Sequence, residues 1–414
     1  MKHFIGYQCT LCGRTFPSEQ FLYTCPFCKE KGILEVLYDY DLIKKTVSLS
    51  YFKNNTNYSM WRYAPLMSVR IEHLGETLKI GWTPLYKSKR LSAFLELENL
   101  YIKDEGLNPS GSTKDRASGV AVIKALELGA ETISCSSTGN AASSLACQAA
   151  HLGLKTVIFV PKRAPIGKLT QLQIYGATLI CVDGDYKATY NLSKEAIEHY
   201  GWYNRNAAIN PHLVEGKKTV ALEIAEQLNF KPTDWVVISV GDGCSISGVY
   251  KGFYDLKQIG LIENIPKILG VQSSGCAPFV IAYENDAPLV EAEENTLADS
   301  IAVGIPRNPI KAMNSVKKSN GVYLSVEDKD ILDSMGLLGR LEGIFAEPAG
   351  ATSLAGLRKA LTTGIIKPVE SVTIIITGNG LKDPINAQKA IKEPIILEPK
   401  LSALNDYLNK IGVN

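Results

Sequence analysis

The sequence predicts an α/β fold built on two sheets. Short apolar runs rich in Val and Ile recur along the chain, and segments with apolar residues at helical spacing lie between them. The runs also outnumber the strands that one compact sheet usually holds. Strands that are apolar throughout and alternate with helices belong in parallel sheets covered on both faces. A ligand site is then expected in the crevice between two α/β domains, beyond the carboxyl ends of the strands.

Composition narrows the function. A chain of 414 residues with 45% hydrophobic content can bury a large core. A net charge of +2, without a long run of one sign, argues against nucleic acid and membrane surfaces and for a small-molecule ligand. No apolar run reaches the length of a membrane span and the first residues lack the apolar core of a secretory leader, so a cytoplasmic location is expected. Cys135, Cys147, Cys181, Cys244 and Cys276 show no pairing pattern and read as free thiols of a reducing compartment. The five histidines show no metal-ligand spacing, which argues against a catalytic metal.

In chain order, the first unit is Cys9-x-x-Cys12 followed by Cys25-x-x-Cys28. Two such pairs can turn their sulfurs toward one point and hold a structural zinc in a closed tetrahedral site; the competing reading is a redox dithiol. Residues 34–42 look like a short strand-like connection, and 48–63, rich in Asn, Ser and Tyr, like a surface arm outside the core. Strands are expected at 100–102, 132–136, 156–160, 177–182, 235–240, 268–271 and 372–377. Helices are expected from 115 to about 128 and at 141–152, 168–175, 190–200, 217–228 and 349–361.

Several junctions carry chemistry. Asn108-Pro109 and Ser110-Gly111 bend the chain sharply ahead of a helix, which places Lys114 in its first turn. There the helix dipole disfavours an ammonium, making Lys114 a candidate for imine chemistry; alone it is equally an exposed loop lysine. Ser137, Thr138, Gly139 and Asn140 lie between a strand and a helix, suited to a carboxylate or to simple capping. Gly241, Asp242, Gly243, Cys244 and Ser245 repeat that arrangement with glycines that admit a phosphate, the alternative being a tight turn. They match neither a dinucleotide fingerprint nor a P-loop. Thr377 ends a buried strand, where a hydroxyl can meet a ligand. Glu347, ahead of Pro348, reads as a helix cap.

Taken together, Trp82-Thr83-Pro84-Leu85, the stretch from Asn108 to Arg116, Ser137 to Asn140, Asn210-Pro211 with Glu215-Gly216-Lys217-Lys218-Thr219, Glu347-Pro348-Ala349 and Thr377 to Pro384 resemble the threonine synthase family. These are pyridoxal phosphate enzymes of the tryptophan synthase β-like fold, or fold type II. The resemblance implies a two-domain α/β enzyme with a four-cysteine zinc ribbon in front. The ribbon would span 1–38, the large domain 39–105 with 208–414, and the small domain 106–207. It makes Lys114 the Schiff-base lysine, Asn140 the partner of the cofactor's phenolic oxygen, Gly241 to Ser245 the phosphate cradle and Thr377 the partner of the pyridine nitrogen. Ser137, Thr138, Gly139 and Asn140 would hold the substrate carboxylate. A hydroxyl at the ring nitrogen makes a weaker electron sink than a carboxylate partner would, which favours expelling a leaving group.

The departures bear on the substrate. Where typical threonine synthases carry a threonine after the asparagine, this chain has Ala141. Their Asn-Ser ahead of Asn-Pro is Ala207-Ala208 here, and the arginine two residues after that proline is Leu213. Alanine and leucine cannot bind the phosphate of O-phosphohomoserine. The expected activity is therefore a lyase performing β or γ elimination or replacement on an amino acid lacking that phosphate. The alternatives are threonine synthase itself and a serine or threonine dehydratase. Pyridoxal phosphate and a structural zinc are the expected cofactors, and an amino-acid substrate and a second copy of the chain in a homodimer are the expected partners.

Overall fold

The structure, a computed structural model, describes residues 3–70, 72, 74–162 and 166–413. β1 (Phe4–Cys9), β2 (Thr15–Pro17) and β3 (Leu34–Tyr38) form a small antiparallel sheet in the order β2-β1-β3. β4 (Leu85–Lys87) and β5 (Leu100–Asp104) follow. β6 (Thr132–Ser136), β7 (Lys155–Pro161), β8 (Thr178–Val182) and β9 (Tyr203–Asn204) make a parallel sheet in the order β8-β7-β6-β9. β10 (Trp235–Ser239), β11 (Lys267–Ser273), β12 (Val322–Val326) and β13 (Val372–Ile376) then join the earlier pair in a larger sheet ordered β12-β11-β10-β13-β5-β4. Only β4 runs antiparallel there.

Both parallel sheets have a point where strand order reverses. In the larger sheet the chain moves outward from β10 through β11 to β12, while β13 lies on the other side of β10. In the smaller one β6 has β7 on one side and β9 on the other. Crevices open beyond the carboxyl ends of strands at such points because the following connections leave in opposite directions.

The long strands are where the apolar runs lie. β10 is buried throughout, and its Val and Ile side chains pack on both faces. The helix Pro348–Thr362 crosses the sheet closely: a methyl group on Gly356 would stand 2.2 Å from Val271 Cγ2, so only glycine permits this approach. Sequence reading missed β4, β9 and β12, which are very short or half-exposed, and the helices Pro278–Glu284, Pro309–Lys318 and Asp328–Leu337.

Residues 48–63 correct the expectation of a surface arm. Phe52, Met60, Trp61 and Tyr63 are buried, and Arg62 pairs with Glu226 at 2.6 Å beneath the surface. The Asn and Ser residues cap and turn this segment, as Ser59 Oγ accepting from Trp61 N illustrates, while the aromatics fill the core. The ribbon is likewise no loose appendage. Phe4, Tyr7, Leu34, Val36 and Tyr38 share one apolar core with Val236, Ile238 and Phe253. His212 fastens it: Tyr7 Oη lies 3.0 Å from Nε2, Ser68 Oγ lies 2.7 Å from Nδ1, and the Phe21 ring stacks on the imidazole. Burial holds His212 well below its usual pKa, so the ring is neutral.

Among the described residues no helix is long and apolar enough to cross a membrane.

Candidate active site

Lys114 opens the helix Lys114–Glu127. Its turn is laced to the end of β13: Thr113 N donates to Thr377 O at 2.9 Å, and Asn379 N to Gly111 O at 2.9 Å. Lys382 Nζ closes the other side through Ser110 O at 2.7 Å. These bonds set Lys114 at the switch point between β10 and β13. Its pKa falls to about 8, chiefly by burial and next by the positive charge of Lys217. The helix end invoked from the sequence is present; the larger cause is tertiary.

The neighbouring residues support the Lys114 helix through buried charge. Arg116 Nε donates to Glu105 at 2.5 Å and Nη1 to Glu223 at 2.7 Å, while Lys103 Nζ reaches Glu223 at 2.8 Å. Asp115 accepts from Ser110 N at 2.8 Å and from Gln148 at 2.9 Å. Neither reads as a reacting group.

At the other sheet's switch point, Ser137, Thr138 and Gly139 form the half-exposed loop between β6 and the helix Asn140–His151. A side chain at Gly139 would meet nothing within 4 Å, so the loop faces open space. First-turn amides here have no intrahelical partner and can receive an anion. Asn140 is buried, with Nδ2 donating to Glu347 Oε1 at 2.9 Å and Oε2 at 3.0 Å. Glu347 corrects the capping expectation. It stands at the N-cap position of Pro348–Thr362, but its side chain accepts no backbone amide of that helix. Crossing to Asn140 satisfies its charge where no cap geometry is available, and burial raises its pKa.

Gly241, Asp242, Gly243, Cys244 and Ser245 connect β10 to the helix Cys244–Gln258. Gly243 has φ +83°, and a methyl there would lie 2.8 Å from Ala312 Cβ and 2.9 Å from Asn308 O. Asp242 would be an awkward lining for a phosphate cradle, but its Oδ1 is occupied by Arg307 N at 2.7 Å. It ties the loop to the chain ahead of Pro309–Lys318. Cys244 is buried, its thiol pushed up to about 11. The Thr377 hydroxyl makes no hydrogen bond among the described residues. A glycine-shaped loop at a helix start, an unused hydroxyl and a lysine of depressed pKa fit pyridoxal phosphate.

The comparisons agree with that chemistry. Residues 76–378 match the family described as pyridoxal-phosphate dependent enzyme. The chain is 39% identical to the threonine synthase of Methanosarcina acetivorans over 97% of its own length and 98% of that protein. It is 39% identical to that of Methanocaldococcus jannaschii over 98% and 99%. The chain belongs to the threonine synthase family of pyridoxal-phosphate-dependent enzymes. The fold is shared with a threonine deaminase of Solanum lycopersicum, at TM-score 0.65 and 22% identity over 80% of this chain and 92% of that one. It is shared also with diaminopropionate ammonia lyase of Escherichia coli, at TM-score 0.66 and 16% identity over 81% and 93%. The α/β fold type II architecture is thus confirmed.

Of the apolar residues that depart from the family's motifs, Ala208 and Leu213 are buried and Ala207 is half-buried. Ala207 and Ala208 pack with Val214 and Cys244, and Leu213 lies fully buried in the core under the smaller sheet. Sequence reading singled out neither Glu347 as a site group nor Arg205 and Lys217, which flank Lys114. Lone charged residues carry no local signal; only packing brings them together.

Apart from this cleft, the Sγ atoms of Cys9, Cys12, Cys25 and Cys28 all lie within 4.8 Å of one another. Zn–S bonds of about 2.3 Å in a tetrahedron place sulfurs roughly 3.8 Å apart, so the cluster is compatible with zinc.

Proposed function

We propose that this enzyme is a lyase acting by β or γ elimination or replacement on an amino acid whose leaving group is not held at residues 207, 208 and 213. The observation that carries the reading is Lys114, of depressed pKa, at a switch point with Asn140 and the Gly243 turn around it. When bound, pyridoxal phosphate supplies the electron sink for the pair left by loss of the substrate's α proton. Lys114 would anchor the cofactor and, once displaced by the substrate amine, take up that proton. The turn formed by Gly241, Asp242, Gly243, Cys244 and Ser245 would hold the phosphate, Asn140 the phenolic oxygen, Thr377 the ring nitrogen, and Ser137, Thr138 and Gly139 the substrate carboxylate.

In the same reading the ribbon of 1–38 carries a structural zinc on Cys9, Cys12, Cys25 and Cys28. The larger sheet belongs to a domain of 39–105 with 208–414, and the smaller to one of 106–207. All nine cysteines are unpaired, which supports a reducing cytoplasm. The near-full-length likeness to two threonine synthases favours one second reading, conversion of O-phosphohomoserine to threonine.

Borohydride reduction followed by peptide mapping should find the cofactor on Lys114; a protein that takes up none overturns the proposal. A panel of amino acids should then give keto-acid release with little turnover of O-phosphohomoserine. Brisk threonine formation would select the second reading.

A further inference from the structure

Glu35, on β3 of the ribbon, stands between lysines of two neighbouring helices. Its Oε1 lies 2.9 Å from Lys251 Nζ and its Oε2 2.8 Å from Lys311 Nζ. Each lysine also donates to the β3 backbone, Lys251 to Val36 O at 2.9 Å and Lys311 to Leu34 O at 3.4 Å. Both lysines are buried, and a buried ammonium that loses its carboxylate is strongly destabilised. The bridge therefore fixes one helix against the other.

Those two helices carry the turn assigned to the cofactor's phosphate. Lys251 lies two helical turns beyond Cys244, on the same face of the helix that the turn opens. Lys311 lies one turn beyond Asn308, which caps the helix Pro309–Lys318. The chain at Arg307 and Asn308 grips the turn directly: their amides donate to Asp242 Oδ1 and O, at 2.7 and 3.2 Å. Asn308 Nδ2 also reaches Ser247 Oγ at 3.2 Å, and that hydroxyl donates to Gly243 O at 2.6 Å. Sliding one helix past the other would loosen this grip.

On its other side β3 follows the four cysteines. Cys9 pairs with Leu34 and Gln8 with Glu35 across the antiparallel ladder. Cys25 N donates to Gly32 O at 2.8 Å, and a methyl group on Gly32 would stand 2.5 Å from Cys25 Cβ and 2.6 Å from Cys28 Cβ. Only glycine permits that approach, so the start of β3 moves with the cluster.

We propose that Glu35 is a positioning residue for the cofactor's phosphate, through which the ribbon sets the shape of the turn from Gly241 to Ser245. It touches neither cofactor nor substrate. The inference rests on the assignment of that turn to the phosphate, made above, and gives the ribbon a task in the cleft. Zinc on the four thiolates would hold β3, and with it Glu35, in place.

The test compares pyridoxal phosphate with pyridoxal, which carries the same aldehyde and no phosphate, by absorbance titration of imine formation on the zinc-loaded protein. In Glu35→Gln the affinity for pyridoxal phosphate should fall about 2–30-fold, the range that coupling through packed, ion-paired networks reaches, while that for pyridoxal stays unchanged. Lys311→Gln should repeat the selective loss, and Glu35→Asp, which keeps the charge, should recover part of it. Stripping zinc from the folded parent with a chelator should act in the same way and add little to Glu35→Gln. Glu19→Gln, at an exposed carboxylate of the same ribbon, should change neither affinity. Equal losses for the two aldehydes, or no loss, overturn the role of Glu35. Should Glu35→Gln not fold, Lys311→Gln and the chelated parent decide by the same comparison, an unselective loss again overturning it. A parent that binds pyridoxal phosphate no more tightly than pyridoxal condemns the assignment of the turn instead, and the inference falls with it.

Discussion

The Asn140 side chain donates to both carboxylate oxygens of Glu347, at 2.9 and 3.0 Å, and so links the helix after β6 to the helix that packs on the larger sheet. Asn140→Ala should leave a buried carboxylate without its donor and cost about 1–3 kcal/mol, read from urea denaturation. Cofactor affinity should fall with it. Glu347→Gln keeps the shape and should cost less; equal losses in the two variants would contradict the contact's importance.

Lys114 titrates near pH 8 in place of its usual 10.5. Only the neutral amine attacks a carbonyl, so cofactor attachment to the empty protein should accelerate through pH 7 to 9, with a midpoint near 8. Lys217→Gln removes a neighbouring positive charge and should move the midpoint upward. Between the folded and unfolded pKa values the unfolded chain binds more protons, so this site's share of stability rises with pH there. A midpoint near that of an ordinary lysine would refute the burial argument.

Gly243→Ala combines a left-handed φ of +83° with a contact of 2.8 Å to Ala312 Cβ. The backbone conformation alone costs about 1–2 kcal/mol for a residue with a Cβ. Cofactor binding followed by absorbance should weaken more than global stability does, because the strain falls on the turn.

Glu223→Ala would leave the buried Lys103 without a carboxylate and Arg116 with Glu105 alone. Removing one partner of such a network costs about 3–5 kcal/mol. Lys155→Ala, at the exposed pair with Glu131, should leave the denaturation midpoint unchanged and serves as the control.

Cys25→Ser, or a strong chelator, should release about one zinc per chain and lower the melting temperature. The ribbon's Phe4, Tyr7 and Leu34 are part of the main core, so the loss should spread beyond the ribbon. Cys276→Ser should keep the metal. Metal analysis paired with calorimetry decides the point.

The α/β class, the long strands, the four-cysteine cluster and the junctions at Lys114, Asn140, Gly243 and Thr377 were legible because each is local. Apolar runs mark strands buried on both faces, and positive-φ turns demand glycine. β9 and β4 were not legible, since two or three residues carry no period. The segment 48–63 misled because its polar residues dominate composition while its aromatics decide where it packs.

By itself the sequence determined which groups exist and where along the chain each turn exposes them. Tertiary structure alone decided their company. It placed Glu347 on Asn140, buried Leu213 away from the cleft, and set Arg205 and Lys217 beside Lys114. Pairing of charges depends on distance and dielectric across segments far apart in sequence, and packing sets both.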